Sequence, residues 1–513
     1  MSERVKKSVL NAEVNLVFYF LTLFLAFFSR KVFLENLGTE FIGLSGTLQN
    51  ILGYLNLVEL GIGSCISFFL YKPLQSGNQQ EINEILSVFG YLYSWIGRII
   101  LVAGIIISLF FPLIFSNNEL GFGIVYFSFF SILGSALIGY FINYRQILLS
   151  ADQKNYLVAI YFQSANLARI ALQTWLALRY KNLYVWVAIE FLFGIVGCII
   201  LNWKINKEYP WLKTNKKDGR KLLKKYPTIL TNTRQIFIHK IKDFILNKSD
   251  ELFVFIFGSL KMVAYYGNYT MIVAKTGQLF SSVLDSTYAG VGNLIAEGNK
   301  PNIMKVFWEL TTIRHFVAGF LCFTIYHFIE PFITVWLGPQ YVLSRSILFL
   351  LCIHIYISTS RGVVDMYNHS HGLYADTWSA WAELFLNVSI TLVAGYYLKI
   401  VGILLGKVIS TFIIIILWKP YYLFHSGLHL SYTEYWRGAS RNFMVSLTSI
   451  IAAHYLITSF VTINACASYT SWILYCLTGL GIYLTINSML ILLFCKGAKD
   501  SMARIRNIIK KRK

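Results

Sequence analysis

Charge is scarce in this chain: Asp, Glu, Lys and Arg together make up 13% of its 513 residues. Soluble domains carry about 25%, so a water-soluble globular protein is excluded. Proline is sparse as well, at eight residues, which leaves long stretches uninterrupted for helices. The seven cysteines, Cys65, Cys198, Cys322, Cys352, Cys466, Cys476 and Cys495, show no CxxC spacing, and most lie in apolar runs. They read as small hydrophobes, with neither a metal centre nor a disulfide implied. There is no GxxxxGK[ST] loop, so ATP hydrolysis by this chain is excluded. His369-Ser370-His371 is an i, i+2 pair that cannot present both imidazoles on one helical face, and no metal site is expected there. No Ser/His/Asp arrangement stands out, and no connection on the outer face is long enough for a catalytic domain. The expectation is a protein that is not an enzyme and carries no cofactor.

What the chain has in abundance is apolar surface, 56% of its residues. A spanning helix needs about 20 such residues, and fourteen stretches qualify: 14–34, 41–69, 84–111, 122–149, 156–179, 184–203, 228–258, 262–290, 303–329, 345–370, 376–398, 401–423, 442–463 and 470–494. The fold class is therefore an all-α polytopic membrane protein. The formal charge of +21 is explained by topology without nucleic acid. Nine Lys/Arg crowd between Lys204 and Lys225, and eight more run from Lys496 to Lys513. With Lys6, Lys7, Lys419, Arg437 and Arg441 they fall on one face, which the positive-inside rule makes cytoplasmic, both termini included. Arg179, Lys181, Lys261 and Lys399 are small exceptions. The start, MSERVKKSVLNAE, leads straight into a span and reads as a retained first helix.

The chain repeats itself. Ser76-Gly77-Asn78-Gln79 after the second span returns as Glu297-Gly298-Asn299-Lys300 after the eighth, 221 positions later, and Ala151-Asp152 returns as Ala375-Asp376. Six helices, a basic connection and six more in the same orientation is the pattern of parallel repeats. The expected domains are an N-lobe at 1–205, a basic cytoplasmic linker at 206–227, a C-lobe at 228–425 and two extra helices at 426–498. A basic amphipathic tail at 499–513 is suited to anionic membrane lipids.

Inside the spans stand four cations near mid-depth: Arg169, Lys240, Lys275 and Arg361. A charge there costs about 2.5–3.5 kcal/mol on insertion scales, so it pairs or faces a water-filled cavity. In span seven Lys240, Asp243, Asn247 and Asp250 share one helical face, as do Lys275, Gln278, Ser282 and Asp285 in span eight. The bland reading is local pairing, Lys240 with Asp243 and Arg361 with Asp365. Arg30, Arg145 and Arg314 lie near enough to span ends to snorkel. The collective reading is a polar cavity that handles an anionic cargo.

Several segments then resemble one family. Leu57-Val58-Glu59-Leu60-Gly61-Ile62-Gly63 leading to Tyr71-Lys72-Pro73-Leu74 resembles the second helix and following loop of polysaccharide-type flippases of the multidrug/oligosaccharidyl-lipid/polysaccharide exporter superfamily. Asn36-Leu37-Gly38-Thr39-Glu40, Tyr266-Gly267-Asn268-Tyr269, Gly290-Val291-Gly292-Asn293-Leu294, Trp336-Leu337-Gly338 and Leu386-Asn387-Val388-Ser389-Ile390 match in order and spacing.

The resemblance implies two six-helix lobes related by pseudo-two-fold symmetry, around a cavity lined by helices one, two, seven and eight. It implies translocation of undecaprenyl-pyrophosphate-linked oligosaccharide from the inner to the outer leaflet of a bacterial cytoplasmic (inner) membrane. Arg30, Lys240 and Lys275 fall on the implied cavity helices and become the first candidates for the pyrophosphate, with Arg169 and Arg361 secondary. Glu59 and Asp243 are the acids on those helices, candidates for H+ or Na+ coupling or for charge pairing. A polysaccharide polymerase and chain-length machinery are the implied protein partners. A small-molecule exporter of the same fold coupled to H+ or Na+, a lipid-linked peptidoglycan precursor flippase, and a membrane transferase are the competing readings.

Overall fold

In lipid a backbone must satisfy its own polar groups, and long apolar runs do so as helices. The computed structural model describes residues 3–59, 62–116, 119–152, 154–373 and 376–503, and among these every regular element is helical. The side chains of Lys240, Asp243, Asn247 and Ser282 lie outside the described residues.

The elements, in chain order, begin with α1 (Glu3–Leu37), α2 (Thr39–Leu55), α3 (Ile62–Ser76), α4 (Gln79–Leu109), α5 (Phe122–Phe141) and α6 (Ile147–Ala151). They continue with α7 (Ser164–Tyr180), α8 (Leu183–Glu208), α9 (Thr228–Phe257), α10 (Leu260–Leu284), α11 (Tyr288–Ala296) and α12 (Lys300–Trp336). The last are α13 (Arg345–Ser360), α14 (Gly362–Ser370), α15 (Thr377–Leu398), α16 (Ile400–Thr411), α17 (Tyr432–Phe460) and α18 (Tyr469–Phe494).

All fourteen expected spans fall on helix. Ten helical segments among the described residues are long and apolar enough to cross a membrane. The other four expected spans, α2 with α3, α7, α9 and α10 with α11, are helical but broken or rich in polar groups. In α9 alone Arg234, Lys240, Lys242, Asp243, Lys248, Asp250 and Glu251 stand within 30 residues. A helix exposed to lipid all round does not tolerate that density of charge.

The chain divides into two compact units, residues 1–255 with 259–264, and residues 256–258 with 265–513. Span seven therefore packs with the first six.

The repeat seen in the sequence has a structural counterpart inside each unit. Gly77 at φ 68° and Gly298 at φ 73° turn the chain through the left-handed region that glycine enters freely. Asn78 then caps α4 by accepting from Glu81 N, and Asn299 caps α12 by accepting from Asn302 N, each cap contributing about 1 kcal/mol. Spans two and eight both break at a 3-10 turn, Asn56–Glu59 and Asp285–Thr287. Spans four and ten break as well, at Asn143–Gln146 and at Arg361.

In the second unit, α12 and α13–α14 are 56% and 61% buried over their most apolar stretches, the most of the ten long apolar segments among the described residues. The two extra helices dock on α12: Tyr483 of α18 stacks on Phe323 at 4.4 Å, and Ser446 of α17 donates to the His315 carbonyl at 3.2 Å.

The basic connection is a folded segment rather than a loose tether. Lys213 N donates to Asn83 Oδ1 at 2.7 Å, Asn215 N to Ser87 Oγ at 2.9 Å, and Lys225 pairs with Glu84 at 2.6 Å. Lys216 reaches the Phe141 carbonyl at 2.6 Å and lies over the Tyr144 ring. Burial first, and the Arg145 charge second, push its ammonium below the usual lysine range.

The tail also begins on protein. Ala498 and Ser501 are buried, and Asp500 pairs with Lys305 of α12 at 3.5 Å. Residues 504–513, most of the expected amphipathic stretch, lie outside the described residues.

Candidate functional site

A polar seam runs along α2 in the first unit, where four elements meet. Asn50 Nδ2 of α2 donates to Glu251 Oε2 of α9 at 2.7 Å. Lys261 at the start of α10 pairs with Glu40 at 3.1 Å, which gives this exception to the positive-inside pattern an acid partner. Arg30 Nη2 of α1 donates to the Ala264 carbonyl at 3.1 Å, so Arg30 turns toward α10 instead of snorkelling outward. Asp250 and Ser249 of α9 are buried beside this seam. The close approach of α2 and α10 depends on Gly43, because a Cβ there would lie 1.9 Å from the Leu260 carbonyl oxygen. Helices one, two and seven and the start of eight thus share polar contacts within one unit.

Glu59 stands at the break between α2 and α3. Its carboxylate accepts from the Tyr93 hydroxyl of α4 and from the Tyr140 hydroxyl of α5. No ion pair among the described residues involves it.

Arg169 is engaged locally. Its Nη1 pairs with Glu190 of α8 at 3.1 Å, and its Nε and Nη2 donate to Asn166. Removing one partner of such a half-buried pair strands the other charge, so Arg169→Ala is expected to destabilise the protein by about 3 kcal/mol. Thermal unfolding of the detergent-solubilised protein measures this, and Arg169→Met with Glu190→Leu should recover most of the loss.

In the second unit Arg361 pairs with Asp365 one turn on, at 3.2 Å. Arg314 does not snorkel. It is buried, its Nη2 bonds Asp285 at 2.7 Å, and it packs so tightly on α14 that a Cβ at Gly362 would lie 1.9 Å from Nη1. The reason is helix length: α12 begins at Lys300, so Arg314 sits about 21 Å along it. Arg145 is likewise held, donating to Asn202 at 2.8 Å and Asn206 at 2.9 Å. Lys275 is half-buried on α10. The Lys240 and Asp243 side chains lie outside the described residues.

Within the first unit Arg169, Glu59 and Arg30 each have their own partners, and within the second Arg361 pairs with Asp365. Sequence reasoning missed Glu251 and both tyrosines. Glu251 carried a signal, an acid directly after Asp250 inside an apolar span.

The sequence matches no family model and no curated protein. Solved structures do share its architecture. The lipid II flippase MurJ in an inward closed conformation aligns over 94% of this chain and 99% of its own, with a TM-score of 0.65 at 14% identity. A multidrug resistance MATE family transporter of the MOP superfamily, inward-facing, aligns over 82% of this chain and 98% of its own, with a TM-score of 0.58 at 13% identity. A MATE protein in the bent conformation aligns over 84% and 99%, with a TM-score of 0.52 at 13% identity. At these identities the likeness is one of fold.

Proposed function

We propose that this chain, with the fold of the multidrug/oligosaccharidyl-lipid/polysaccharide exporters, moves a polyprenyl-pyrophosphate-linked oligosaccharide from the inner to the outer leaflet by alternating access. The observation that carries the proposal is the cations on spans one, seven and eight: Lys240 and Lys275 near mid-depth, and Arg30 toward the end of its span. Arg169 and Arg361 have acidic partners within their own units and are set aside as structural. A pyrophosphate brings negative charge to mid-depth, where a cation in low dielectric attracts it far more strongly than in water. The work is binding and movement, with no bond made or broken. The membrane is the bacterial cytoplasmic membrane, with both termini inside, and H+ or Na+ is the coupling ion.

A second reading is a flippase for a lipid-linked peptidoglycan precursor, favoured by the 94% of this chain that the lipid II flippase structure covers. An exporter of small organic cations fits less well, because such cargo calls for an acidic cavity.

The two flippase readings separate by complementation. In a strain lacking its own oligosaccharide-lipid flippase, the chain is expected to restore surface glycan and clear the accumulated lipid-linked intermediate. Failure there, with rescue of a strain lacking its lipid II flippase, would favour the second reading.

A further inference from the structure

A polar groove of about 630 Å³ opens between the first turns of α4 and the basic connection, within the first unit. Its size falls in the range of roughly 300–1,000 Å³ that small-ligand sites occupy. One wall is Gln79, Gln80, Asn83 and Glu84 of α4, three amides and a carboxylate. Facing them from the connection stand Lys213, Asn215, Asp218 and Lys221.

The walls are fixed by contacts that leave the groove open. Lys213 N and Asn215 N donate to Asn83 Oδ1 and Ser87 Oγ at 2.7 and 2.9 Å. Farther on, the short helix Gly219–Lys225 meets α4 at its glycine, where a Cβ would lie 2.3 Å from Tyr91 Cβ. Lys225 and Tyr226 both fasten to Glu84, at 2.6 and 2.7 Å. A site held in this way pays little ordering cost when a ligand arrives.

The lining decides what fits. Leu222 is the one apolar side chain in it, so an acyl or polyprenyl chain gains little there. Its two ammonium groups are matched by two carboxylates, and Lys225 covers Glu84 from outside the lining. The excess is a single positive charge, less than a pyrophosphate needs. Hydrogen-bonding capacity, by contrast, is plentiful. The Gln79 amide and the Lys213 and Lys221 ammonium groups have no partner among the described residues. Gln80 uses one amide hydrogen on Glu84 and keeps its carbonyl oxygen. Side-chain amides set a donor beside an acceptor, which is what neighbouring hydroxyls of a sugar ring call for.

We propose that this groove is a docking subsite for the sugar part of the transported lipid, engaged before the pyrophosphate enters the membrane. The ligand class is a hydroxyl-rich saccharide, neutral or singly anionic. The inference rests on the proposed flippase reading, which puts this end of α4 on the cytoplasmic side, where cargo is loaded.

The test uses the full chain in proteoliposomes with two fluorescent probes, a polyprenyl pyrophosphate carrying chitobiose and the same lipid without sugar. The readout is the ratio of their leaflet-transfer rates. Gln79→Ala combined with Lys221→Ala removes groups that have no partner in the fold. It is expected to lower the ratio about tenfold, the loss of one or two net hydrogen bonds. Lys224→Ala, on the same short helix but outside the groove, should keep the wild-type ratio. Saturation-transfer NMR of free chitobiose with the detergent-solubilised protein gives a readout independent of transport. Contact is expected with the wild type, is lost in the double variant, and is not displaced by inorganic pyrophosphate.

An unchanged ratio in the double variant, an equal fall with Lys224→Ala, no chitobiose contact, or its displacement by pyrophosphate overturns the proposal. Transfer of neither lipid by the wild type overturns the flippase reading instead, and the NMR result then decides on the groove alone.

Discussion

Lys240→Ala combined with Lys275→Ala is expected to leave the protein inserted at normal abundance and to reduce surface glycan display by 100-fold or more. Each lysine is assigned one charge-assisted contact to a phosphate oxygen, and such a contact contributes about 1.5–3 kcal/mol. Two together amount to about 3–6 kcal/mol, or two to four orders of magnitude in a rate limited by cargo engagement. Neither substitution adds a buried polar group, so insertion should improve if anything. Replacing both by arginine keeps charge and donors and should retain most of the display. The measurement is surface glycan by lectin or antibody binding, normalised to membrane-fraction protein. Normal display in the double alanine variant would remove the cations from the cargo site.

Arg314→Ala is expected to produce the largest loss of stability, about 2–5 kcal/mol, chiefly from the void its buried side chain leaves. The guanidinium is buried, bonds Asp285 at the α10–α11 break, and fills the space against Gly362 of α14. Its removal opens a void between three elements, while Asp285, whose side chain is half exposed, stays hydrated and adds little to the cost. Asp285→Asn keeps a hydrogen-bond acceptor and should cost less. Arg314→Met with Asp285→Leu removes both charges while filling most of the volume, and should recover more than half of the loss. Thermal unfolding of purified protein in detergent, followed by its own tryptophan fluorescence, reads all three. Equal stability of Arg314→Ala and wild type would show the pair to be incidental.

The helical spans were legible because a lipid-crossing segment must be apolar for its whole length, and that pattern is local. The Gly-Asn corners were legible because identical residues recur where a left-handed turn and a cap are both needed. The contacts of Glu59 were not: its donors lie 34 and 81 positions away, and two tyrosines among 33 look like any interfacial belt. Arg314 was misjudged because span hydropathy marks the lipid boundary and not the start of the helix, which for α12 extends further toward the N-terminus. The basic connection read as a boundary because lysines predict water. Its anchoring depends on side chains of α4, such as Asn83, Glu84 and Ser87, that composition cannot pair with it.

The central claim is that the chain carries a pyrophosphate-linked sugar lipid across the bilayer. Its most direct test is leaflet transfer of a fluorescent polyprenyl-pyrophosphate oligosaccharide by the purified protein in liposomes, beside the matching monophosphate lipid. The account predicts transfer several-fold above protein-free liposomes, faster for the pyrophosphate and lost in the Lys240→Ala, Lys275→Ala variant. No transfer of the pyrophosphate lipid, or chemical turnover of it without movement, would contradict the account.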